Sequence, residues 1–375
     1  MGTQVLKNAN ILTEDYTFRL TDLVMEDGKI LSVGHTDLDG EDLQGRYVIP
    51  GLVDIHTHGC AGGDHLDGTQ EMTDAIRRWM ASQGTTSILA TIMTQSRQTM
   101  LTAAENTARC ARQDRGAHIR GIYLEGPFFS YQYKGAQHPQ YLLEPETELI
   151  DQLQEASGDM VKILSLAPEL SGAIPFIREL KGIRAFLGHT ASDYDTALAA
   201  FDAGAAGLTH TFNGMTPLHH RKPGILAAAM EREGIFCECI CDGFHVHPAM
   251  VALLYRQVGR ERFCVISDSL RPTGLPDGAY TSGGQDITVK DGKAMLTDGT
   301  IAGSTACLLQ EVRNLVNWGI CSLADSVYAA SAVPAKAAGI FDLVGSIAAG
   351  KAADLVILES NLDLYKVLLE GKEVQ

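Results

Sequence analysis

Positive charge is in short supply in this sequence. Thirty Lys and Arg stand against 46 Asp and Glu, a formal net charge of −16. That balance excludes a non-specific DNA or RNA binder, whose affinity comes from cationic neutralisation of phosphates. It equally excludes adhesion to an anionic membrane surface. Long hydrophobic runs are missing too: none approaches the roughly 18 residues needed to cross a bilayer. The opening stretch, MGTQVLKNANILTEDY, has no apolar segment of the secretory type, and Leu6 breaks the myristoylation pattern. The cytoplasm is the expected location. Cysteine is sparse, with eight in 375 residues, mostly inside apolar runs, which fits reduced buried thiols rather than a disulfide framework. Cys237, Cys239 and Cys241 fall on one face of one strand and read as small buried side chains rather than a soft-metal site. No internal repeat, low-complexity tract or fibrous Gly/Pro period is visible.

What is present is apolar substance: 45% of the residues are hydrophobic, enough for a core of full size in one large domain, or one large and one small. Residues 1–50 read as short strands, with a hairpin signal at Asp27-Gly28. The last stretch, 344–375, has the same texture, so the two ends are expected to pair into a small β domain. The middle, 51–343, is different. Apolar strand candidates at 51–56, 86–92, 119–125, 161–167, 184–189, 207–211, 235–241 and 262–267 alternate with helical stretches such as 70–83, 97–113, 145–157, 192–204 and 248–258. Strands this apolar, alternating with helices, indicate a parallel sheet covered on its faces. Eight units at this length predict an α/β fold, a (β/α)8 barrel, with a doubly wound open sheet as the rival.

The polar groups inside that pattern fall at strand ends. His56 and His58 close the first candidate, Glu125 the third and His189 the fifth; His210 lies in the sixth, Asp242 and His245 follow the seventh, and Asp268 follows the eighth. Taken singly, each has an ordinary explanation: a satisfied core imidazole, a first solvated residue, a helix cap. In a barrel, however, the C-terminal strand ends open on one face. The four His and at least two carboxylates gathered there must be paired or must hold metal, because unpaired burial costs several kcal/mol. Mixed imidazole and carboxylate donors suit one or two divalent ions of the Zn or Fe type over Mg or Ca. Such an ion acidifies water and polarises a carbonyl, and a neighbouring Asp can carry the proton to a leaving amine. The chemistry indicated is hydrolysis of an amide-like bond.

The string Pro50-Gly51-Leu52-Val53-Asp54-Ile55-His56-Thr57-His58-Gly59 resembles the first-strand motif of the amidohydrolase superfamily. Glu125-Gly126-Pro127-Phe128, Gly188-His189-Thr190, His210 to Met215, Asp242 to Pro248, Ser267-Asp268-Ser269 and Ala302-Gly303-Ser304 follow in order. Over nearly the whole chain this series resembles the N-acetylglucosamine-6-phosphate deacetylases. The resemblance implies a metal-dependent barrel with a small β-sandwich domain built from both termini. It implies hydrolysis of N-acetyl-D-glucosamine 6-phosphate to D-glucosamine 6-phosphate and acetate, in amino-sugar catabolism and cell-wall sugar recycling. A related substrate such as N-acetylgalactosamine 6-phosphate is the alternative.

By the same resemblance, Glu125, His189 and His210 hold the main ion, and His56 and His58 can hold a second with Glu125 bridging. Zn is the first choice of metal, with Fe, Mn or Co as alternatives. Asp268 is the catalytic acid/base. Ala136, Gln137, Asn213, Gly214, Arg221, His245, Ala302, Gly303 and Ser304 contact the sugar phosphate, and a homodimer can lend a phosphate contact across subunits. The sequence departs from the family's pattern at Gln137, where some relatives carry His (His138 follows it), at Gly214, where Ala is common, and at Ser269, where Ala is usual. His219 and His220, beside Arg221, read as solvated. Cyclic-amide hydrolases use a carboxylated Lys where Glu125 stands here, and a non-catalytic scaffold would lack several of these ligands.

Overall fold

The computed structural model describes residues 2–374. Eight parallel strands hydrogen-bond in chain order: Leu52–Thr57, Thr85–Met93, His118–Glu125, Val161–Leu166, Arg184–Leu187, Gly207–Leu208, Phe236–Cys239 and Phe263–Val265. The ring closes just beyond the eighth strand. There the Asp268 amide donates to the His56 carbonyl at 2.9 Å and the His58 amide to the Ser269 carbonyl at 2.9 Å. Buried Asp54 adds a side-chain staple, accepting from the Ser267 amide at 3.3 Å and the Ser267 hydroxyl at 2.5 Å. Helices follow the strands at Gln70–Ser82, Arg97–Ala111, Thr147–Ser157, Ala173–Glu179, Tyr194–Ala203, Gly224–Glu231, Pro248–Val258 and Leu308–Asn317. The fold is thus the (β/α)8 barrel that the alternation predicts. The sixth strand is shorter than the sequence suggests, so His210 stands two residues past its end.

The strand period of two decides which side chains face inward. The outward positions of the strands, such as Val53, Ile55, Cys237 and Cys239, join one large apolar cluster. The inward positions near the mouth are polar: the Thr209 hydroxyl lies 2.9 Å from the Tyr123 hydroxyl and 2.6 Å from that of Ser165. The three thiols of the 237–241 run are all buried, as small core side chains.

The two ends of the chain pair into one curled sheet in the order Lys372–Glu373, Leu364–Leu369, Leu355–Leu358, Tyr47–Pro50, Gln4–Leu12, Phe18–Glu26 and Lys29–Val33, with Glu41–Asp42 beside Gln4–Leu12. Its core, which includes Leu6, Ile11, Leu23, Val48, Leu355 and Ile357, draws on both termini. The Asp27-Gly28 turn has positive φ at both residues, 48° and 79°, as a tight hairpin requires.

One element was not foreseen. Between the eighth strand and its helix, Gly278–Ser282, Gln285–Lys290 and Lys293–Leu296 form an antiparallel meander with its own small core of Leu270, Ile287, Val289 and Ala294. It lies over the barrel mouth, where the Gln285 amide donates to the Ala136 carbonyl.

Candidate active site

The mouth holds a cavity of about 390 Å³. Its floor is the histidine and carboxylate cluster, and the meander supplies Ser282, Ile287 and Leu296 on the opposite side. Three residues just past strand ends, His189, His210 and Asp268, sit at φ values of 44°, 26° and 47°. Left-handed backbone at non-glycine residues costs about 1–3 kcal/mol each and persists where the surroundings enforce it. Here each accompanies an abrupt turn at the mouth that brings the side chain into the cluster.

The donor atoms converge closely. Glu125 Oε1 lies 3.1 Å from His189 Nε2 and 3.0 Å from His210 Nε2, and the two Nε2 atoms are 3.1 Å apart. On the far side of each ring, Nδ1 is 2.9 Å from the Tyr133 carbonyl for His189 and 3.2 Å from the Asn213 carbonyl for His210. A carbonyl can only accept, so both rings are set with N–H at Nδ1 and a lone pair at Nε2. Lone pairs and a carboxylate oxygen aimed at one point repel unless a cation or a proton sits between them. A second group forms beside the first: His58 Nε2 is 3.3 Å from Glu125 Oε2, and His56 Nε2 is 3.6 Å from Glu125 Oε1. Buried His56 Nε2 and Asp268 Oδ1 have no hydrogen-bond partner among the described residues. Both triads, His56–His58–Glu125 and Glu125–His189–His210, are thus able to hold a divalent metal.

The electrostatics agree with a cation-seeking pocket. Burial alone would raise the Glu125 carboxyl, but where a proton takes the place of a metal at the Nε2 atoms, hydrogen bonds from His189 and His210 hold it well below the usual carboxylate range. Burial likewise opposes charge on His58 and His210, yet Asp268 and Glu125 respectively outweigh it and lift each to about 9. Protons and a metal compete for the same lone pairs.

Asp268 Oδ1 stands 3.1 Å from His58 Nε2 and 3.7 Å from His56 Nε2. Its backbone is fixed on both sides, because its carbonyl also accepts from the Ser304 amide at 2.8 Å. Gly303 packs so tightly there that an added Cβ would meet the Asp268 carbonyl at 2.9 Å. Gln137 is buried and turns toward the cluster, donating to Glu125 Oε2 at 2.6 Å, whereas His138 lies outside the cavity lining. Ala136, Asn213, Gly214, His245 and Ala302 line the cavity. His245 is oriented by Asp242, whose Oδ2 is 2.7 Å from Nδ1, leaving Nε2 without a partner. Arg221 is exposed, 2.8 Å from His220 Nε2, and is not part of its own chain's cavity lining; His219 and His220 are exposed too.

The sequence profile of the amidohydrolase family matches residues 47–374. The chain belongs to that family. This amidohydrolase is 37% identical to N-acetylgalactosamine-6-phosphate deacetylase of Escherichia coli O157:H7, over 99% of both chains. It is 36% identical to N-acetylglucosamine-6-phosphate deacetylase of Bacillus subtilis strain 168, over 98% of this chain and 96% of that one. Its structure superposes, with a TM-score of 0.93 and 33% identity over the full length of both, on an Asp-to-Ala mutant of the Mycobacterium smegmatis N-acetyl-D-glucosamine-6-phosphate deacetylase solved with N-acetyl-D-glucosamine 6-phosphate.

Two parts of this site escaped sequence reasoning. The carbonyls of Tyr133 and Asn213 act through the backbone and leave no side-chain signature. Glu238, fully buried with Oε2 3.0 Å from His56 Nδ1, did leave one: a single carboxylate within an otherwise apolar strand. Among the described residues, no helix is long and apolar enough to cross a membrane.

Proposed function

We propose that this amidohydrolase removes the acetyl group from an N-acetylhexosamine 6-phosphate, with N-acetyl-D-glucosamine 6-phosphate as the first substrate. The observation that carries the proposal is the convergence of Glu125, His189 and His210 on one point beside the buried Asp268 carboxylate, in a cavity that also presents His245. A divalent ion on Glu125, His189 and His210, with a second on His56, His58 and Glu125, would supply a Lewis acid and an acidified water. Zinc suits this donor set best, with Fe, Mn or Co as alternatives.

The chain's own residues do the rest. Asp268 takes one proton from the attacking water and passes it to the amide nitrogen as the C–N bond breaks, so the amine leaves neutral with acetic acid, which gives its remaining proton to solvent and departs as acetate. His245, held by Asp242, offers its free Nε2 side to the phosphate. Asn213, Gly214, Ala136, Gln137 and Ala302 bound the sugar, whereas Gly303 and Ser304 lie outside the cavity lining. With a net charge of −16, long-range steering of an anion is unfavourable, so capture rests on this local lining. Arg221, exposed on its own subunit, serves the phosphate of a partner's site in a homodimer. We place the enzyme in the cytoplasm, where phosphorylated sugars are made and used.

Acetate release from the glucosamine and galactosamine 6-phosphate derivatives, measured on metal-reconstituted protein, tests the proposal. The relative at 37% identity favours the galactosamine compound as the second reading, and the ratio of kcat/KM decides between them. No acetate from either compound would remove the proposal. Arg221→Ala should raise KM at least tenfold with little change in kcat; an unchanged KM would remove Arg221 from the phosphate contact.

A further inference from the structure

Glu238 lies inside the barrel beneath the donor cluster, with no exposed surface. Its Oε2 is 3.0 Å from His56 Nδ1 and accepts from the His210 backbone amide at 3.0 Å. Its backbone carbonyl accepts from the Thr211 amide at 2.8 Å. One carboxylate therefore touches one residue from each donor triad. The four imidazoles of the cluster are not held alike. His189 and His210 present Nδ1 to backbone carbonyls, and His58 Nδ1 has no partner. His56 alone is backed by a carboxylate, and its ring is also stacked on Tyr123 at 4.5 Å. A carboxylate behind an imidazole fixes the Nδ1–H tautomer and raises the basicity of Nε2. Isolated burial of that carboxylate is unfavourable, and a cation at His56 offsets it.

We infer that Glu238 is the positioning residue for the His56–His58–Glu125 ion: it sets His56 as an Nε2 ligand and supplies the charge that lets this position retain a divalent cation. The inference rests on the reading that this triad holds metal, and goes beyond it by making retention there depend on Glu238.

Zinc alone is the probe. Stripped wild-type protein and Glu238→Gln are titrated with zinc against a chromophoric chelator. Glu238→Gln is isosteric and keeps an acceptor for both N–H groups. The wild type should take up two equivalents. The variant should keep one at unchanged affinity and hold the other about 10–100-fold more weakly. Glu238→Asp, which draws the carboxylate back by one methylene, should weaken the same ion. In zinc-loaded wild type, 15N histidine spectra should show His56 ligating through Nε2 with a proton on Nδ1, a readout that needs no variant to fold. Uptake of a single equivalent by the wild type, two equivalents at wild-type affinity in Glu238→Gln, or ligation by His56 through Nδ1 would each overturn the inference. Failure to release acetate with two-ion uptake intact would sink the deacetylase reading alone.

Discussion

Replacing Asp268 with Asn separates proton transfer from binding and folding. Asn is close to Asp in size, so the cavity keeps its shape. The backbone at 268 has φ of 47°, a region that Asn tolerates but that would cost an Ala about 1–2 kcal/mol. The two backbone hydrogen bonds, to the His56 carbonyl and from the Ser304 amide, are untouched. What disappears is a group that can accept a proton. General acid–base catalysis contributes about 10²–10⁴-fold. Asp268 serves first as base and then as acid, and the slower step sets the rate, so the two contributions do not multiply. The expected fall in kcat is therefore about 10²–10⁴, or roughly 2.7–5.4 kcal/mol at 1.36 kcal/mol per decade. KM should stay within about threefold, since an interaction lost only in the transition state moves kcat and kcat/KM together. One complication is built into the site. The new amide would lie near His58 Nε2, now 3.1 Å from Asp268 Oδ1, and could donate to it in place of a metal. Acetate release must accordingly be measured beside metal content in the same preparation. A kcat within tenfold of wild type at full metal occupancy would refute the role assigned to Asp268.

Gly214 is held at φ of 58°, and an added Cβ would sit 3.0 Å from His189 Nδ1, so Gly214→Ala should cost about 1–2 kcal/mol in denaturant unfolding and also weaken metal retention. Equal stability and equal metal affinity would show that the His189–Tyr133 contact yields freely. Gln285→Ala breaks the link from the meander to the Ala136 carbonyl; KM should rise several-fold while kcat changes less than twofold, and an unchanged KM would mean that the meander stays closed without it. In the metal-stripped protein, His58 and His210 titrate near 9, above the free imidazole. A raised folded-state pKa gives stability that is complete below about 6.5 and is lost as pH climbs through about 9. The melting temperature of stripped protein should therefore fall between pH 7 and 9.5, while the increment gained on adding zinc grows over the same window. A melting temperature that is flat across that window would refute the assignment.

The barrel and the His and carboxylate cluster at its mouth were legible because the fold places such groups in a periodic way. An apolar run of strand length that ends in His, Glu or Asp puts that group at the mouth, whichever strand it is. Glu125, His189 and Asp268 came through this rule alone, although each by itself had an ordinary reading. His210 came through it too, even though its strand is only Gly207–Leu208. The 278–296 meander did not. Its strands alternate with a half-exposed pattern and pack on only four core residues. They carry no strand-to-helix rhythm by which to be counted.

The position of Arg221 bears on the homodimer proposed above. Its guanidinium meets His220 at the surface while the cavity a short distance along the chain is lined by Asn213 and Gly214. Seen from sequence, Arg221 is only a few residues from these lining groups and reads as part of the same pocket. The chain turns outward after Thr216, however, and the His219–Lys222 bridge closes a turn that holds Arg221 in solvent. A cation displayed there has little worth to a phosphate on its own subunit, because exposed pairs are screened within about 10 Å. It acquires worth only where another surface excludes that water. The same subunit meanwhile presents His245 Nε2 as a single open ring nitrogen in a protein of charge −16. A dianionic phosphate held by one imidazole is under-compensated, and the displayed Arg221 is the charge that a second subunit would bring. Activity per subunit that falls on dilution, and is restored by mixing an Arg221→Ala chain with an Asp268→Asn chain, would follow from that arrangement; strict proportionality to wild-type concentration with no restoration on mixing would rule it out.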